Sequence, residues 1–396
     1  MSLNSTPSSE RIHIGLFGKR NAGKSSLINA ITNQDLAIVS NQKGTTTDPV
    51  MKAMELLPLG PVVFIDTPGL DDTGELGEKR VEKAKKMLHK TDIALLVIDS
   101  REGMDELDEE VLALIKSLHI PYLVVYNKCD LSHFDKETKD TIYVSSKTKE
   151  NIKELKDKIA LLKPEKDQRA LIHDLVPSGS LVILVIPIDA SAPKGRLILP
   201  QQQVIRDLLD YGNIPVVCRE SELAETLHKI EKPALVITDS QAFAYVSKIV
   251  PEDIPLTSFS ILMARYKGAL HVTYHGIKSI DELQDGDHIL ISEGCTHHRT
   301  CKDIGTVKIP NWLKNYTGKN LIIETCSGFG FPSDLSAYKM IIHCGGCMLN
   351  EREVIHRMQE AVKQGVPITN YGMAIAYMNG ILDRSMEIIK DKDNDD

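Results

Sequence analysis

The chain alternates short apolar runs with longer stretches in which apolar and polar residues recur at helical spacing. Runs at residues 12–17, 62–66 and 123–127 occupy its first part. Short buried runs separated by helical stretches are typical of strands in a parallel sheet with helices on its faces. Residues 11–165 are therefore predicted to form an α/β domain, preceded by a disordered N-terminus at residues 1–10.

Two further groups of apolar runs predict a middle and a last α/β domain. The runs at residues 181–188, 214–218 and 234–238 alternate with helical stretches near 201–211 and 220–230. A charged segment broken by proline, residues 163–169, separates them from the first domain, as linkers do. We expect a middle domain at residues 175–260, a last domain at 261–390, and a disordered acidic tail after Ile389.

Three apolar runs of the last domain each lead into a cysteine. They begin at residues 289, 321 and 340 and lead into Cys295, Cys326 and Cys344. Ligand sites of open α/β sheets gather at the carboxyl ends of the strands. The three thiols are therefore predicted to converge on one edge of a parallel sheet and to form a site there.

Composition and charge narrow the function classes. The chain has 396 residues, of which 42% are hydrophobic and 26% charged, and its net charge is −8. An acidic balance argues against a nucleic-acid-binding surface, which needs a basic face. No apolar run approaches the length of a membrane span, and the first ten residues lack the apolar core of a secretory signal. We therefore expect a cytoplasmic protein with no nucleic-acid or membrane partner, whose seven cysteines are kept reduced.

A phosphate-binding loop follows the first apolar run and precedes a helical stretch. Its sequence is Gly18-Lys-Arg-Asn-Ala-Gly23-Lys24-Ser25, the P-loop pattern in its required strand–loop–helix context. Backbone N–H groups of such a loop surround phosphate oxygens, aided by the helix N-terminus. Lys24 is expected to reach the β- and γ-phosphates, and Ser25 to bind Mg²⁺. The predicted nucleotide contacts of this segment are Gly18, Asn21, Ala22, Gly23, Lys24, Ser25 and Ser26.

Two later segments predict the metal contact and the identity of the base. Asp66-Thr-Pro-Gly69 ends the second run, so Asp66 is expected to hold Mg²⁺ and the Gly69 amide to sense the γ-phosphate. Asn127-Lys128-Cys129-Asp130 ends the third run. A carboxylate at Asp130 can accept the N1–H and 2-amino protons of guanine, whereas adenine offers neither donor.

A third segment, Ser145-Ser146-Lys147, is predicted to direct a backbone N–H toward guanine O6. Together with the P-loop, the Asp66 segment and the Asn127 segment, it predicts a domain that binds GTP and hydrolyses it to GDP and phosphate.

The segment Gly44-Thr-Thr-Thr-Asp48 is the switch I candidate, and Thr46 is its expected Mg²⁺ ligand. These motifs resemble the TrmE–Era branch of GTPases over the whole first domain. Leu70 stands where Ras-like proteins place the glutamine that orients the attacking water, which predicts slow intrinsic hydrolysis. The resemblance implies that Asn21 helps to hold K⁺ beside the phosphates; the alternative is a loop-capping role for Asn21. Lys24, Asn21, Thr46 and Gly69 are thus the expected catalytic groups.

Soft metal ligands are concentrated in the last domain. The two cysteines of Cys344-Gly-Gly-Cys347 are close enough to bind one metal centre. Cys295 and His297 supply a second pair of candidate ligands. Three thiolates and an imidazole suit a zinc site or an iron–sulfur cluster equally, and ordinary buried cysteines are a third alternative. Cys301 and Cys326 are alternative candidates for a thiolate ligand, and His343 is the second candidate for a histidine ligand.

The order of these features resembles the HydF family, GTPases that take part in maturation of FeFe-hydrogenase. The resemblance rests on the GTPase motifs followed by Cys295-Thr-His297 and His343-Cys344-Gly-Gly-Cys347 and spans nearly the full chain. It implies a 4Fe–4S cluster on Cys295, Cys344 and Cys347, with His297 as a less firm ligand. It also implies a homodimer or higher homo-oligomer, with the middle domain as the dimerisation module. It further implies a scaffold or carrier that delivers a di-iron precursor to apo-hydrogenase alongside radical-SAM maturation enzymes.

Two other function classes compete with this interpretation. A ribosome- or RNA-associated GTPase would keep the first domain and use the cysteines for a structural zinc site. A metal-delivery NTPase for nickel or zinc would favour a flexible histidine-rich tract, which the sequence lacks. The metal content of the purified protein distinguishes the three classes.

Overall fold

The computed structural model describes residues 7–32, 50–67, 84–132, 138–164, 169–188, 197–294, 303–328 and 330–393. The chain forms two compact units, residues 1–167 and 168–396. The first unit corresponds to the first predicted domain. The second contains both the middle and the last predicted domains.

The first unit is built on a six-stranded sheet of order β2–β3–β1–β4–β5–β6, in which only β2 is antiparallel to its neighbour. The strands are β1 (Ile12–Phe17), β2 (Val50–Leu56), β3 (Gly60–Asp66), β4 (Ile93–Asp99), β5 (Tyr122–Asn127) and β6 (Thr141–Val144). The helices include α1 (Lys24–Thr32), α2 (Glu106–Ser117) and α3 (Ile152–Leu161), and short 3-10 turns occupy Ser8–Glu10 and Cys129–Leu131.

Successive side chains along each strand point to opposite faces of this sheet, so it has an apolar core on each face. In β4, Leu95 and Val97 join one apolar cluster with residues of α1 and α3. Leu96 and Ile98 join a second cluster with residues of α2. Because both faces are covered, the parallel strands read as continuous apolar runs, which is why they could be predicted.

The second unit contains two parallel four-stranded sheets. The first has the order β10–β9–β7–β8, with β7 (Leu181–Val185), β8 (Ile214–Cys218), β9 (Leu235–Thr238) and β10 (Leu256–Ser258). The second has the order β12–β11–β13–β14, with β11 (His288–Glu293), β12 (Ile322–Ser327), β13 (Met340–His343) and β14 (Ile368–Asn370). The predicted strands leading toward the cysteines are therefore confirmed as neighbours in one parallel sheet.

Helices of the second unit connect and cover the two sheets. They include α4 (Leu199–Asp210), α5 (Leu223–Lys229), α6 (Phe243–Val246), α7 (Phe259–Tyr266), α8 (Leu270–Ile277), α9 (Ile309–Thr317), α10 (Glu351–Lys363), α11 (Tyr371–Met378) and α12 (Leu382–Asp393). Helix α12 continues to Asp393, so the expected disorder directly after Ile389 is wrong.

One continuous apolar core, from Leu171 to Ile389, serves both sheets of the second unit. Helix α11, which is buried along most of its length, packs against α7 and α8. Gly372 permits this approach, because a Cβ there would lie 2.5 Å from the Cβ of Ser260. The middle and last regions are thus parts of one packed body. Among the described residues, no helix is long and apolar enough to cross a membrane.

Candidate functional site

The P-loop joins β1 to α1 and wraps around the ammonium of Lys24. This side chain is only 7% exposed, and its Nζ donates to the carbonyl oxygens of Gly18 (2.7 Å) and Lys19 (2.8 Å). Gly18 has φ +137°, and a Cβ there would lie 2.1 Å from the Val97 carbonyl oxygen. The glycine and the lysine together hold a positive charge inside the loop, where phosphate oxygens would meet it.

The two described residues predicted to bind Mg²⁺ are in direct contact. Ser25 Oγ donates to Asp66 Oδ2 at 2.6 Å, which joins the start of α1 to the end of β3. A hydroxyl and a carboxylate oxygen held together are hard donors that fit Mg²⁺. Thr46 and Gly69, the other groups predicted to sense Mg²⁺ or the γ-phosphate, lie outside the described residues, as does Leu70.

Asn127 joins the P-loop to the loop after β6. Its side chain is fully buried; Nδ2 donates to the Ala22 carbonyl oxygen and Oδ1 accepts from the Ser146 N–H, both at 3.0 Å. Gly23 has φ +92°, and a Cβ there would lie 2.2 Å from Asn127 Nδ2. Three predicted nucleotide-binding segments are therefore brought together by one amide.

Lys128 fixes the other side of the P-loop. Its Nζ donates to the Asn21 carbonyl oxygen at 2.6 Å and to Asp99 Oδ2 at 2.7 Å. Hydrogen bonds from Arg101 and then Lys128 hold the pKa of Asp99 well below its usual range. Asp99 was not predicted, although it ends the buried strand β4 at the same sheet edge. The side chain of Asn21 is exposed, and its backbone has φ 61°.

Asp130 is an exposed carboxylate that is oriented by a buried hydroxyl. Ser145 Oγ donates to Asp130 Oδ1 at 2.6 Å and accepts the Thr148 N–H at 3.0 Å. Ser145, which belongs to the predicted guanine loop, therefore also orients the carboxylate that is predicted to recognise the base. Ser26 and Lys147 have exposed side chains.

The cysteine edge of the second sheet aligns four polar or sulfur-bearing side chains. Register pairs Cys326 with Ser292, Ser292 with His343, and His343 with Asn370 across the four strands. Cys344 follows β13 directly. The predicted convergence is thus confirmed for Cys326 and Cys344, while Cys295, His297 and Cys301 lie outside the described residues.

The sulfur of Cys344 accepts two backbone N–H groups. Gly294 donates to Sγ at 3.0 Å and Gly346, which has φ +62°, donates at 3.4 Å. Burial raises the pKa of Cys344 and raises that of Cys347 to about 11, so both thiols stay protonated near neutrality unless a metal replaces the proton. Two thiols on a Gly-Gly turn, with amides directed at one sulfur, fit a thiolate-bound metal centre.

The described residues alone do not complete a metal site. Within the described ranges, no group of three or more His, Cys, Asp or Glu side chains could hold a metal ion. The sequence places Cys295 immediately after Gly294, whose N–H contacts the Cys344 sulfur.

His343 is engaged by the protein through both ring nitrogens. Its Nδ1 lies 2.6 Å from the Cys344 carbonyl oxygen, and its Nε2 lies 3.1 Å from Arg357 Nη1. Because Arg357 can only donate, Nε2 accepts and Nδ1 carries the proton. Burial, and then Arg357, lower the pKa of His343 to about 3. Both ring nitrogens of His343 are thus hydrogen-bonded to the protein, and its role as the second histidine ligand stays a prediction.

Arg357 is a buried cation that sequence reasoning missed. It is 1% exposed and pairs with Glu353 one helical turn earlier, with Nη2 at 2.8 Å from Oε1. Its Nη2 also donates to the Gly328 carbonyl oxygen at 2.7 Å, and its Nη1 lies 3.4 Å from Ser292 Oγ. The sequence signal was the i,i+4 spacing of Glu353 and Arg357, which the structure places on α10.

Comparison with protein families assigns the regions of the chain. Residues 171–268 match the hydrogen maturase F dimerization domain, and residues 271–388 match the hydrogen maturase F tetramerization domain. These adjacent matches cover more than half of the chain. The chain belongs to the hydrogen maturase F family. Residues 13–128 match a GTPase family described as 50S ribosome-binding GTPase, so the chain joins a GTPase domain to the two hydrogen maturase F domains.

Individual relatives match about a third of the chain. The tRNA modification GTPase MnmE of Dechloromonas aromatica is 36% identical over 154 residues, which are 37% of this chain and 34% of the relative. GTPase Der of Campylobacter jejuni is 38% identical over 134 residues, 33% of this chain and 29% of the relative. The chain thus spans about a third of the length of these curated relatives. Among solved structures, Aquifex aeolicus Era is 22% identical, covering 52% of this chain and 92% of that chain, with a TM-score of 0.33.

The family matches agree with part of the sequence analysis and add to it. Oligomerisation through the middle region was expected from the resemblance, and hydrogen maturase F carries a dimerization region there. A higher homo-oligomer was among the expectations, but its assignment to residues 271–388 was not, because the cysteines and histidines of that region indicated only a metal site.

Proposed function

We propose that this hydrogen maturase F protein is a GTP-switched scaffold that carries a 4Fe–4S cluster on Cys295, Cys344 and Cys347. It holds the di-iron precursor of the hydrogenase active site and delivers it to apo FeFe-hydrogenase, in concert with radical-SAM maturation enzymes. The observation that carries the proposal is the hydrogen bond from the Gly294 N–H to Cys344 Sγ. It supports the cluster because Gly294 immediately precedes Cys295 in the chain.

The nucleotide part of the proposal assigns a role to each contacting residue. Lys24 stabilises charge on the transferring phosphoryl group, and Ser25 and Asp66 would hold Mg²⁺, which neutralises the phosphate oxygens when bound. Asp130, oriented by Ser145, selects guanine. Thr46, Gly69 and a K⁺ ion recruited by Asn21 complete the proposed catalytic set.

The cluster part of the proposal uses the soft donors of the last region. Cys344 and Cys347 would bind through thiolates, and N–H donation from Gly294 and Gly346 stabilises the anionic sulfur of Cys344. When bound, a 4Fe–4S cluster supplies a redox-active centre with one iron that lacks a cysteine ligand. His297 remains the proposed weaker ligand of that iron.

Iron content and electron paramagnetic resonance of anaerobically reconstituted protein test the proposal. Wild type should contain about four irons per chain, whereas Cys344→Ala should lose the cluster signal and keep GTP hydrolysis. Cys218→Ala is the matched control, since Cys218 is a buried thiol at the end of β8. A colourless wild type with stoichiometric zinc would contradict the proposal and favour a structural zinc site.

An activation assay tests the carrier role separately. Loaded wild type should activate apo-hydrogenase without added GTP, and Lys24→Ala should fail at loading because it removes GTP turnover. Cys344→Ala should fail at activation with its GTPase rate intact. Full activation by Cys344→Ala would refute the role of this thiol in the carrier.

A further inference from the structure

A buried lysine holds the Cys344–Cys347 turn. Lys267 follows helix α7, within the region matched by the dimerization domain, and is 2% exposed. Its Nζ donates to the Gly346 carbonyl oxygen at 2.8 Å and to the Leu349 carbonyl oxygen. A residue of the dimerization region is therefore hydrogen-bonded to the turn that carries both cysteines.

These contacts limit how far the ammonium lies from the sulfur. Gly346 accepts from Lys267 through its carbonyl oxygen (2.8 Å) and donates to Cys344 Sγ through its N–H (3.4 Å). The nitrogen and oxygen of one residue lie within about 4 Å of each other. Lys267 Nζ is therefore within about 10 Å of Cys344 Sγ.

A fixed cation at this range changes the balance between two charge states of a bound cluster. Reduction adds one electron and makes the cluster more negative, so a nearby positive charge favours the reduced form. At an effective dielectric constant of about 20, a unit charge about 10 Å away changes such an equilibrium by roughly tenfold or more. Removing the Lys267 ammonium also destabilises the Cys344–Cys347 turn, because two carbonyl oxygens lose their hydrogen-bond donor.

We propose that Lys267 is a positioning residue of the cysteine site, which holds the Cys344–Cys347 turn to the dimerization region and raises the reduction potential of the cluster. This inference rests on the proposed function, since it requires a cluster on these cysteines. The charge and the hydrogen bonds act together: the bonds fix the turn, and the fixed geometry keeps the charge beside the sulfur.

The test compares full-length variants after anaerobic reconstitution, with reduction followed by electron paramagnetic resonance in a potential titration. Lys267→Met removes charge and donor, Lys267→Gln keeps a donor without charge, and Lys267→Arg keeps both. Lys390→Met is the matched control, since Lys390 donates instead to the Tyr274 hydroxyl. At the wild-type midpoint, the ratio of reduced to oxidised cluster should fall about tenfold in the Met and Gln variants. That fall corresponds to about 59 mV for one electron.

Lys267→Arg and Lys390→Met should both stay within about twofold of wild type. Iron loss from the Met and Gln variants but not from the Arg variant would also support the proposal, because it shows that the cation holds the turn. Iron-replete Met and Gln variants with the wild-type midpoint would overturn it, as would iron loss from all three Lys267 variants or an equal shift in Lys390→Met. If wild-type protein takes up no iron, the proposed cluster itself is refuted. Failure of the Lys267 inference looks different, because wild type then still binds iron.

Discussion

Asp108 gives the first unit a stability that depends on pH. It lies in the first turn of α2, is 2% exposed, and its Oδ2 faces the Asp105 N–H at 3.4 Å. Its Oδ1 has no hydrogen-bond partner within the part of the chain that the structure describes. Burial, and then the charge of Asp105, raise the pKa of Asp108 to about 6, while the hydrogen bond from the Asp105 N–H and then the charge of Lys19 oppose this rise. Tyr126 is a further titratable group that interacts with this carboxyl.

The sign and size of the effect follow from this pKa. A carboxyl whose pKa rises from 3.8 to about 6 on folding favours the folded state while it is protonated. Its contribution is fully present below pH 3.8 and is lost as pH rises through 6. The loss approaches about 3 kcal/mol at neutral pH, with each pKa unit equal to about 1.4 kcal/mol. Asp108→Asn cannot ionise, so it should stabilise the first unit at pH 7.5 by up to about 3 kcal/mol and change little at pH 4.

Calorimetric unfolding of the full chain between pH 4 and pH 8 measures this difference on the transition of the first unit. Glu110→Gln is the matched control, because it makes the same chemical change at an exposed position of α2. The difference in free energy of unfolding between Asp108→Asn and wild type should develop mainly between pH 4 and 6 and stay constant above that. If the two variants differ from wild type equally at every pH, the burial argument for Asp108 is refuted.

Three further predictions concern the nucleotide and cysteine sites. Asp130→Ala should weaken GTP binding about a hundredfold, because two charge-assisted hydrogen bonds to guanine are lost. Titration with a fluorescent nucleotide measures this affinity, and an unchanged affinity would exclude Asp130 from base recognition. Hydrolysis should be faster in K⁺ than in Na⁺, and Asn21→Ala should abolish the difference, while equal wild-type rates in both salts would leave Asn21 a loop residue. Arg357→Met should lower the free energy of unfolding of the second unit by about 3–5 kcal/mol in urea titrations, because it leaves Glu353 without this partner. Adding Glu353→Gln should recover part of that loss, and strictly additive losses would contradict a coupled pair.

Features that depend on short, contiguous stretches of sequence could be predicted. The P-loop and the Asn127 segment are short motifs at strand ends, so their place at one sheet edge follows from the parallel topology. The order of apolar runs likewise predicted that Cys326 and Cys344 share an edge.

Contacts between distant segments could not be predicted in this way. Lys267 reaches a carbonyl oxygen 79 residues later, and no spacing rule connects them. The burial of Arg357 against His343 depends on how α10 packs on the sheet, which the helical pattern leaves open. The same packing uses both nitrogens of His343, and a histidine beside a cysteine gives no sign of that in sequence.

The single core of the second unit also sets the order in which the chain can mature on the ribosome. The first unit is complete once residue 167 has emerged, and domains made early fold early. The second unit cannot close its core until Ile389 has been synthesised, because that residue packs in the same cluster as Leu171. Cys344 and Cys347 therefore leave the exit tunnel before their surroundings are finished. Insertion of the proposed cluster at these thiols is therefore expected only after translation has ended.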